Sequence, residues 1–330
     1  MIAVPLKAAA LKSITPPAVF FALLLFAATG LEAALLSPGR TSLPPKHNPP
    51  PLSLAQQQDD DVVRVNTDLV VLNATVLGKD GKFVSGLRRA DFQILEDGKE
   101  QKLASLSAAE TPFAVAIVID TSGSMDARLT LARSAAIQFL NGLRESDVAA
   151  VYNFDYKVEQ LQDFSPGRDL PPKAFGLRAK TTTALNDAVL RAADDLAARP
   201  EKRRALVVLS DGGENSSRAS SDKALNHALA GGVTIYAVNM SEEGPTRDIV
   251  GASILKNLAA KSGGQYISTP GGLKLRDAFD EILEELSHQY TLSYVPSNRE
   301  RDGKWRAIDL KLARPDTTVR TRKGYRAPKG

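Results

Sequence analysis

The sequence predicts an α/β protein in which a doubly wound domain is inserted into a small antiparallel β-sandwich. Apolar runs alternate with helical patterns between residues 113 and 287, so we place the doubly wound domain at 111–287. Period-two alternation marks the segments on either side, 61–110 and 288–326. Neither flanking segment has enough strands for a core of its own. We therefore expect the two segments to pair into one sandwich.

The amino-terminal part of the chain is predicted to carry an export signal and a linker. A positive region with Lys7 and Lys12 precedes an apolar core at residues 18–29, and small residues follow that core. This order is typical of a secretory signal peptide, here residues 1–33, and an uncleaved membrane anchor is the alternative. Residues 34–60 are rich in Pro, Ser and Gln, which predicts an extended linker. We expect an exported protein of the periplasm, cell envelope or extracellular space.

The flanking segments carry strand and hairpin signals. A hairpin is predicted between Asp91 and Leu103, with its turn at Asp97 and Gly98. The alternating apolar positions are Val70, Leu72, Ala74 and Val76 before the central domain, and Tyr290, Leu292, Tyr294, Ile308, Leu310 and Leu312 after it.

In the central domain each predicted strand is a short apolar run, and each predicted helix has apolar residues at helical spacing. The segment from Tyr156 to Phe164 is expected to turn back along the strand before it. The predicted strands are 113–119, 148–154, 205–211, 233–238 and 265–268. The predicted helices are 129–143, 186–198, 221–230 and a last helix whose apolar face holds Leu275, Phe279, Ile282, Leu283 and Leu286.

Composition excludes several classes of function. The chain of 330 residues has a net charge of only +4 with scattered basic residues, so we expect no nucleic-acid partner. It has no cysteine, which excludes disulfides and zinc thiolate sites. Only three histidines occur, which argues against histidine-based catalysis.

Oxygen-bearing side chains stand at the carboxyl ends of two predicted buried strands. Asp120, Ser122 and Ser124 follow the run 113–119, and Asp211 ends the run 205–211. Ligands of open α/β sheets bind outside the carboxyl ends of the strands. Hard oxygen donors of this kind suit Mg²⁺, and also Mn²⁺ or Ca²⁺, better than zinc. The alternative interpretation is that the two aspartates only cap the helices that follow them.

With the hydroxyl-rich loop at 181–183, these residues resemble the metal-ion-dependent adhesion site of the von Willebrand factor A (VWA) domain, which reads Asp-x-Ser-x-Ser, then Thr, then Asp. Thr183 matches the family threonine best, because Ala-Leu follows it and an aspartate stands two residues later. The family commonly has glycine where this chain has Thr182. Carried over residue by residue, the resemblance implies the metal ligands Asp120, Ser122, Ser124, Thr183 and Asp211.

The whole order of elements, ending in the segment 320–325, is similar to the exported VWFA-related family known mainly from acidobacteria. The resemblance implies a Rossmann-like VWA domain inserted in the sandwich. It also implies an adhesion-type module, not an enzyme, whose metal accepts a carboxylate from a partner. The expected partner is an extracytoplasmic protein or peptide that offers an acidic side chain, and membrane contact is expected only through an uncleaved signal.

The alternative function is a metal-dependent hydrolase or phosphoryl-transfer enzyme that uses Asp120. Enzymes resembling the haloacid dehalogenases often carry a second acid two residues after the first, and this chain has Ser122 there. A serine hydrolase would need a base near Ser122 or Ser124.

Overall fold

The computed structural model describes residues 69–107, 111–167, 182–241, 249–269 and 272–330, all of which belong to the unit Val63–Gly330. The predicted signal peptide (1–33) and linker (34–60) lie outside the described residues, as does Thr181.

Fourteen strands and five α-helices make up the described part of the chain. The strands are β1 (Val70–Gly78), β2 (Phe92–Glu96), β3 (Lys99–Gln101), β4 (Leu103–Ser107), β5 (Phe113–Asp120), β6 (Val148–Phe154), β7 (Val158–Ser165), β8 (Arg203–Ser210), β9 (Val233–Asn239), β10 (Tyr266–Ser268), β11 (Tyr290–Tyr294), β12 (Trp305–Leu312), β13 (Thr317–Arg320) and β14 (Gly324–Arg326). The helices are α1 (Leu129–Gly142), α2 (Leu185–Ala197), α3 (Ser221–Ala230), α4 (Ile249–Ser262) and α5 (Leu273–His288).

The central domain contains a six-stranded sheet in the order β10-β9-β8-β5-β6-β7. All neighbours are parallel except β7, which turns back antiparallel along β6 as the sequence predicts. Every residue of β5 is buried. Such an unbroken apolar strand needs cover on both faces of the sheet.

Helices cover both faces of this sheet. On one face α1 and α5 pack over the odd-numbered residues of β5, and the rings of Phe139 and Phe279 meet with centroids 5.5 Å apart. On the other face α2, α3 and α4 pack over the even-numbered residues, such as Ala116 and Val118. This is the doubly wound α/β arrangement, and the predicted fold class is confirmed.

The flanking segments form two four-stranded antiparallel sheets, ordered β13-β1-β11-β4 and β14-β12-β2-β3. Strands from before the central domain pair with strands from after it: β1 with β11, and β2 with β12. The two sheets share one apolar core, which includes Leu72, Ile94, Leu292 and Leu310. The central domain is therefore inserted in a β-sandwich, as expected.

The hairpin turn between β2 and β3 lies where the sequence predicts it. Asp97 and Gly98 have φ angles of 48° and 79°. Two successive residues with positive φ are the requirement of a type I′ turn, which Asp-Gly meets well.

The structure also contains a helix that the sequence did not predict. Helix α4 exposes both residues of its amino end, Ile249 (78%) and Val250 (71%), while Leu255 and Leu258 are buried. Its apolar residues therefore do not form a single stripe.

Strand β8 ends at Ser210, so Asp211 is the first residue of the loop that follows. Within the part of the chain that the structure describes, no helix has the length and apolar character needed to cross a membrane.

Candidate metal-binding site

The five predicted ligands lie in three loops at the carboxyl edge of the central sheet. Strands β5 and β8 are parallel neighbours, so Asp120 and Asp211 leave the sheet at the same edge. Thr183 lies in the loop that opens α2, directly beside the loop of Asp211. A Cβ atom built on Gly213 would be 3.3 Å from Asp211 Oδ1 and 3.5 Å from Thr183 Oγ1. These two oxygens therefore border the same glycine.

Asp120 is the buried carboxylate of the site. It is the last residue of β5 and has no exposed surface. The Ser122 backbone N–H donates to its Oδ1 at 2.8 Å, and the Ser210 hydroxyl donates to its Oδ2 at 2.5 Å. Burial raises the pKa of Asp120 from 3.8 to about 6, the hydrogen bonds from Ser122 and Ser210 oppose this rise, and the charge of Asp211 adds to it.

The two serines are presented by a tight turn. Ser122 has extended backbone angles and is followed by a 3₁₀ helix, Gly123–Arg128. The Ser122 and Ser124 hydroxyl oxygens are 3.1 Å apart, with Ser122 buried and Ser124 exposed. Met125 is fully buried in the core between the sheet and α1 and α5, so its side chain anchors the turn. The two hydroxyls are thereby held together at the surface end of β5.

The Thr183 loop and the Asp211 loop are tied to each other by reciprocal hydrogen bonds. The Thr183 N–H donates to Asn215 Oδ1 at 2.8 Å, and the Asn215 N–H donates to the Thr183 carbonyl at 3.0 Å. The Gly213 N–H donates to Asp211 Oδ1 at 3.1 Å. Thr183 and Asp211 thus hold fixed positions although 28 residues separate them in the sequence.

Glu214 braces the same pair of loops. Its carboxylate accepts from the Asn186 N–H at 2.8 Å and from the Ser217 hydroxyl at 2.6 Å. Asp187 accepts from the N–H groups of Arg218 and Ala219. These acids serve as acceptors within the loops.

Sequence reasoning missed the bracing roles of Ser210, Asn215 and Glu214. Ser210 left one signal, because it is a polar residue at the end of an otherwise apolar strand. Asn215 and Glu214 act through backbone groups about 30 residues away along the chain, and such contacts follow no sequence period.

The loop behind Asp211 depends on a close backbone approach. Gly212 has a φ of +90°, and a Cβ atom there would lie 2.4 Å from the carbonyl carbon of Gly251 in α4. The first turn of α4 therefore packs directly against this loop. Only glycine fits this position without displacing the helix.

The donor set is compatible with a small divalent cation. It comprises two carboxylates and three hydroxyls, all of them hard oxygen donors. A cation would compensate the charge of the buried Asp120 beside Asp211. Across the described ranges, no cluster of three or more His, Cys, Asp or Glu side chains is suited to hold a metal.

The family model of the von Willebrand factor type A domain matches residues 114–280. This chain belongs to the VWA family. The matched region contains all five predicted ligands, while the strands of the β-sandwich lie outside it. The similarity to the exported VWFA-related family stays a prediction. A search of the curated proteins found no match.

Several solved structures resemble this VWA chain. A serine-substituted aerotolerance-related membrane protein from Bacteroides fragilis is 19% identical with a TM-score of 0.41, and the match covers 53% of this chain and 98% of that one. The von Willebrand factor domain of the type V pili tip protein Mfa5 from Porphyromonas gingivalis is 17% identical with a TM-score of 0.44, over 53% and 94% of the two chains. A von Willebrand factor type A protein from Catenulispora acidiphila is 13% identical with a TM-score of 0.47, over 81% and 75%. At these identities the likeness is one of fold.

Proposed function

We propose that this VWA protein is an exported, adhesion-type module that binds a partner protein through a divalent metal ion. Family membership supports an interaction module. The metal ligands would be Asp120, Ser122, Ser124, Thr183 and Asp211. The observation that carries the proposal is the pair Asp120 and Asp211, which share one sheet edge with three hydroxyl groups.

The ion in this proposal is Mg²⁺, with Mn²⁺ and Ca²⁺ as alternatives that have the same preference for oxygen ligands. When bound to only two carboxylates, such an ion remains electrophilic and accepts a further anionic oxygen. The chain's own residues would hold it at the carboxyl edge of the sheet. The partner would be an extracytoplasmic protein or peptide that offers an acidic side chain.

The alternative, a hydrolase or phosphoryl-transfer enzyme that uses Asp120, has less support. The second acid that such enzymes often carry two residues after the first is absent here, because Ser122 holds that position. The histidines of the described part have partners elsewhere: His227 contacts Asp194, and His288 stacks on Phe83. A phosphatase and esterase screen with Mg²⁺ tests the alternative, and turnover would overturn the binding proposal.

Export remains part of the proposal because residues 1–33 have the charged, apolar and small-residue order of a signal peptide. The mass of the chain purified from its native host tests this point. An intact Met1 on cytoplasmic protein would contradict it.

Thermal unfolding with and without Mg²⁺ tests the metal proposal. At a hundredfold excess over its dissociation constant, an ion that binds only the folded state adds about 2.7 kcal/mol to the free energy of unfolding. The substitution Asp211→Asn should abolish this gain without weakening the metal-free protein, because it relieves repulsion between two acids.

Asp126→Asn is the matched control, since Asp126 is an exposed acid of the same turn that is not a predicted ligand. It should leave the Mg²⁺ response unchanged. An unresponsive wild-type protein would overturn the metal proposal. A wild-type response in Asp211→Asn would overturn the assignment of the ligands.

A further inference from the structure

A second concave site lies at the opposite edge of the central sheet. Helix α3 begins beyond the carboxyl end of β8 and ends at Ala230, just before β9 begins at Val233. Its last residues therefore lie at the amino edge of the sheet, away from Asp120 and Asp211. A cavity of about 430 Å³ opens there, between the end of α3, the start of β1 and the segments 295–301 and 322–328.

The wall of this cavity is strongly cationic. One carboxylate, Glu300, lines it beside four arginines. Among the described residues, Arg299, Arg322 and Arg326 form no ion pair with a carboxylate. The four arginines are Arg299, Arg301, Arg322 and Arg326.

Arg322 is the buried member of this group, with 8% of its surface exposed. Its Nη1 donates to the Leu229 carbonyl at 2.5 Å, its guanidinium lies over the Tyr325 ring, and its Nε has no hydrogen-bond partner. The carboxylate of Glu96 is engaged by the hydroxyls of Tyr294 and Tyr325 at 2.7 and 2.9 Å.

Burial lowers the pKa of the Arg322 guanidinium, and electrostatic interaction with Tyr294, Tyr325 and Glu96 opposes this effect. A buried cation without a direct anionic partner is costly. An anion inside the cavity would supply that partner.

Apolar side chains form a second part of the wall. Val70, Leu229, Val295, Pro296 and Pro328 face the same space as the arginines. Binding sites for small molecules typically combine such a lining with a few polar groups that fix orientation. A volume of about 430 Å³ is in the ordinary range for these sites.

We propose that this cavity binds a small organic anion in which a carboxylate is attached to an apolar body. The planar guanidinium fork of arginine matches a carboxylate with two parallel hydrogen bonds. The apolar body would cover the Leu229 and Val295 side of the cavity. Because the cavity lies at the other edge of the sheet, binding of the organic anion does not require the metal ion proposed at the carboxyl edge.

Isothermal titration calorimetry of the full chain with decanoate tests the proposal. Acetate provides the charged group alone, and decanol provides the apolar body alone. Decanoate should bind more tightly than either, with the same affinity in Mg²⁺ and in chelator. Absence of decanoate binding, decanol binding of equal affinity, or a requirement for Mg²⁺ would each overturn the proposal.

Substitutions of residues that line the cavity test whether decanoate binds there. Arg322→Gln should weaken decanoate binding about tenfold or more, the usual effect of losing a charged hydrogen bond. The double variant Arg299→Ala/Arg326→Ala should weaken it as well, and both positions are exposed, so folding is preserved. Ala230→Trp should obstruct the cavity without changing its charge.

Arg314→Ala is the matched control, because Arg314 is an exposed arginine outside the cavity. It should leave the decanoate affinity unchanged. An equal loss in this control would show nonspecific attraction and overturn the proposal. Wild-type affinity in both the double variant and Ala230→Trp would also overturn it, whether or not Arg322→Gln folds.

Discussion

Thr75 and Glu285 are 210 residues apart in the chain, yet the Thr75 hydroxyl donates a 2.8 Å hydrogen bond to Glu285 Oε1. Thr75 belongs to β1 of the sandwich and Glu285 to α5 of the VWA domain. The Tyr236 hydroxyl donates to the same oxygen at 2.8 Å, and Arg320 of β13 pairs with the other oxygen. One buried carboxylate therefore connects the sandwich, the last helix and the central sheet.

Glu285→Ala should lower the free energy of unfolding by about 3 kcal/mol, the lower end of the range for breaking a buried ion pair. The loss arises because Thr75 and Tyr236 would lose a buried hydrogen-bond acceptor. It is at the lower end because the Arg320 side chain is about one-third exposed and can be solvated again. Urea unfolding measures the change. Glu284→Ala, on the exposed face of the same helix, is the control. Equal losses in the two variants would contradict the role of Glu285.

Ser210→Ala should weaken Mg²⁺ binding by about tenfold, because partners that orient a metal ligand typically contribute this much. The Ser210 hydroxyl donates to Asp120 and accepts from the Gly212 N–H at 2.9 Å, so it positions both ligand loops. Calorimetric titration with Mg²⁺ measures the loss. Ser262→Ala removes another buried serine, whose hydroxyl caps the Ile235 N–H far along the chain from the site. That variant should keep its Mg²⁺ affinity, and equal weakening in both would disprove the positioning role.

The stability of the metal-free protein should depend on pH through Asp120. Its pKa is about 6 in the folded state against 3.8 for an ordinary aspartate, so between these values the folded state binds more protons than the unfolded state. Stability from this group therefore falls as pH rises from about 4 to 6, by on the order of 2–3 kcal/mol.

The difference in unfolding free energy between wild type and Asp120→Asn isolates this contribution. The free energy of unfolding of the wild type should fall relative to that of Asp120→Asn as pH rises through that window. Parallel pH curves for the two proteins would show that Asp120 does not titrate there.

Gly212→Ala should destabilise the protein more than Gly232→Ala. Both glycines have positive φ, which costs about 1–2 kcal/mol for any residue with a Cβ atom. Only Gly212 also meets a neighbouring backbone, at Gly251, while the space beside Gly232 is open. The clash should add about 1–3 kcal/mol and should also weaken Mg²⁺ binding. Chemical unfolding and Mg²⁺ titration of both variants provide the comparison, and equal behaviour would show that the loop can move away from α4.

Most strands and helices were predictable because their residues keep one periodicity throughout, whereas the short strands β4, β13 and β14 were not predicted. Strand β5 is apolar at each of its first seven positions, and the alternation of Leu72 and Ala74 with polar residues marks a sandwich strand. Helix α4 was missed because Ile249 and Val250 face solvent while other apolar residues face the sheet. Its first turn also approaches the Asp211 loop closely, at Gly251 and Gly212, and a sequence pattern does not record such a contact.

In the candidate site, only the residues that directly follow predicted strands could be placed together from the sequence. The ends of β5 and β8 supplied Asp120 and Asp211, and the structure places both at one edge. Their use as metal ligands stays a prediction. The bonds between Thr183 and Asn215 join two loops, and they could not be inferred because each depends on how the folded backbone runs.

Ser107 at the end of β4 lies directly opposite Thr291 in β11. Partners on neighbouring antiparallel strands are about 5 Å apart. The two chain connections between the sandwich and the inserted domain are therefore about as close together as the two ends of a hairpin turn. A short turn could join Ser107 to Tyr290 and leave the pairing of β11 with β1 and β4 in register. The same position in the sandwich can therefore accept a different inserted domain, provided that the two termini of that domain lie side by side.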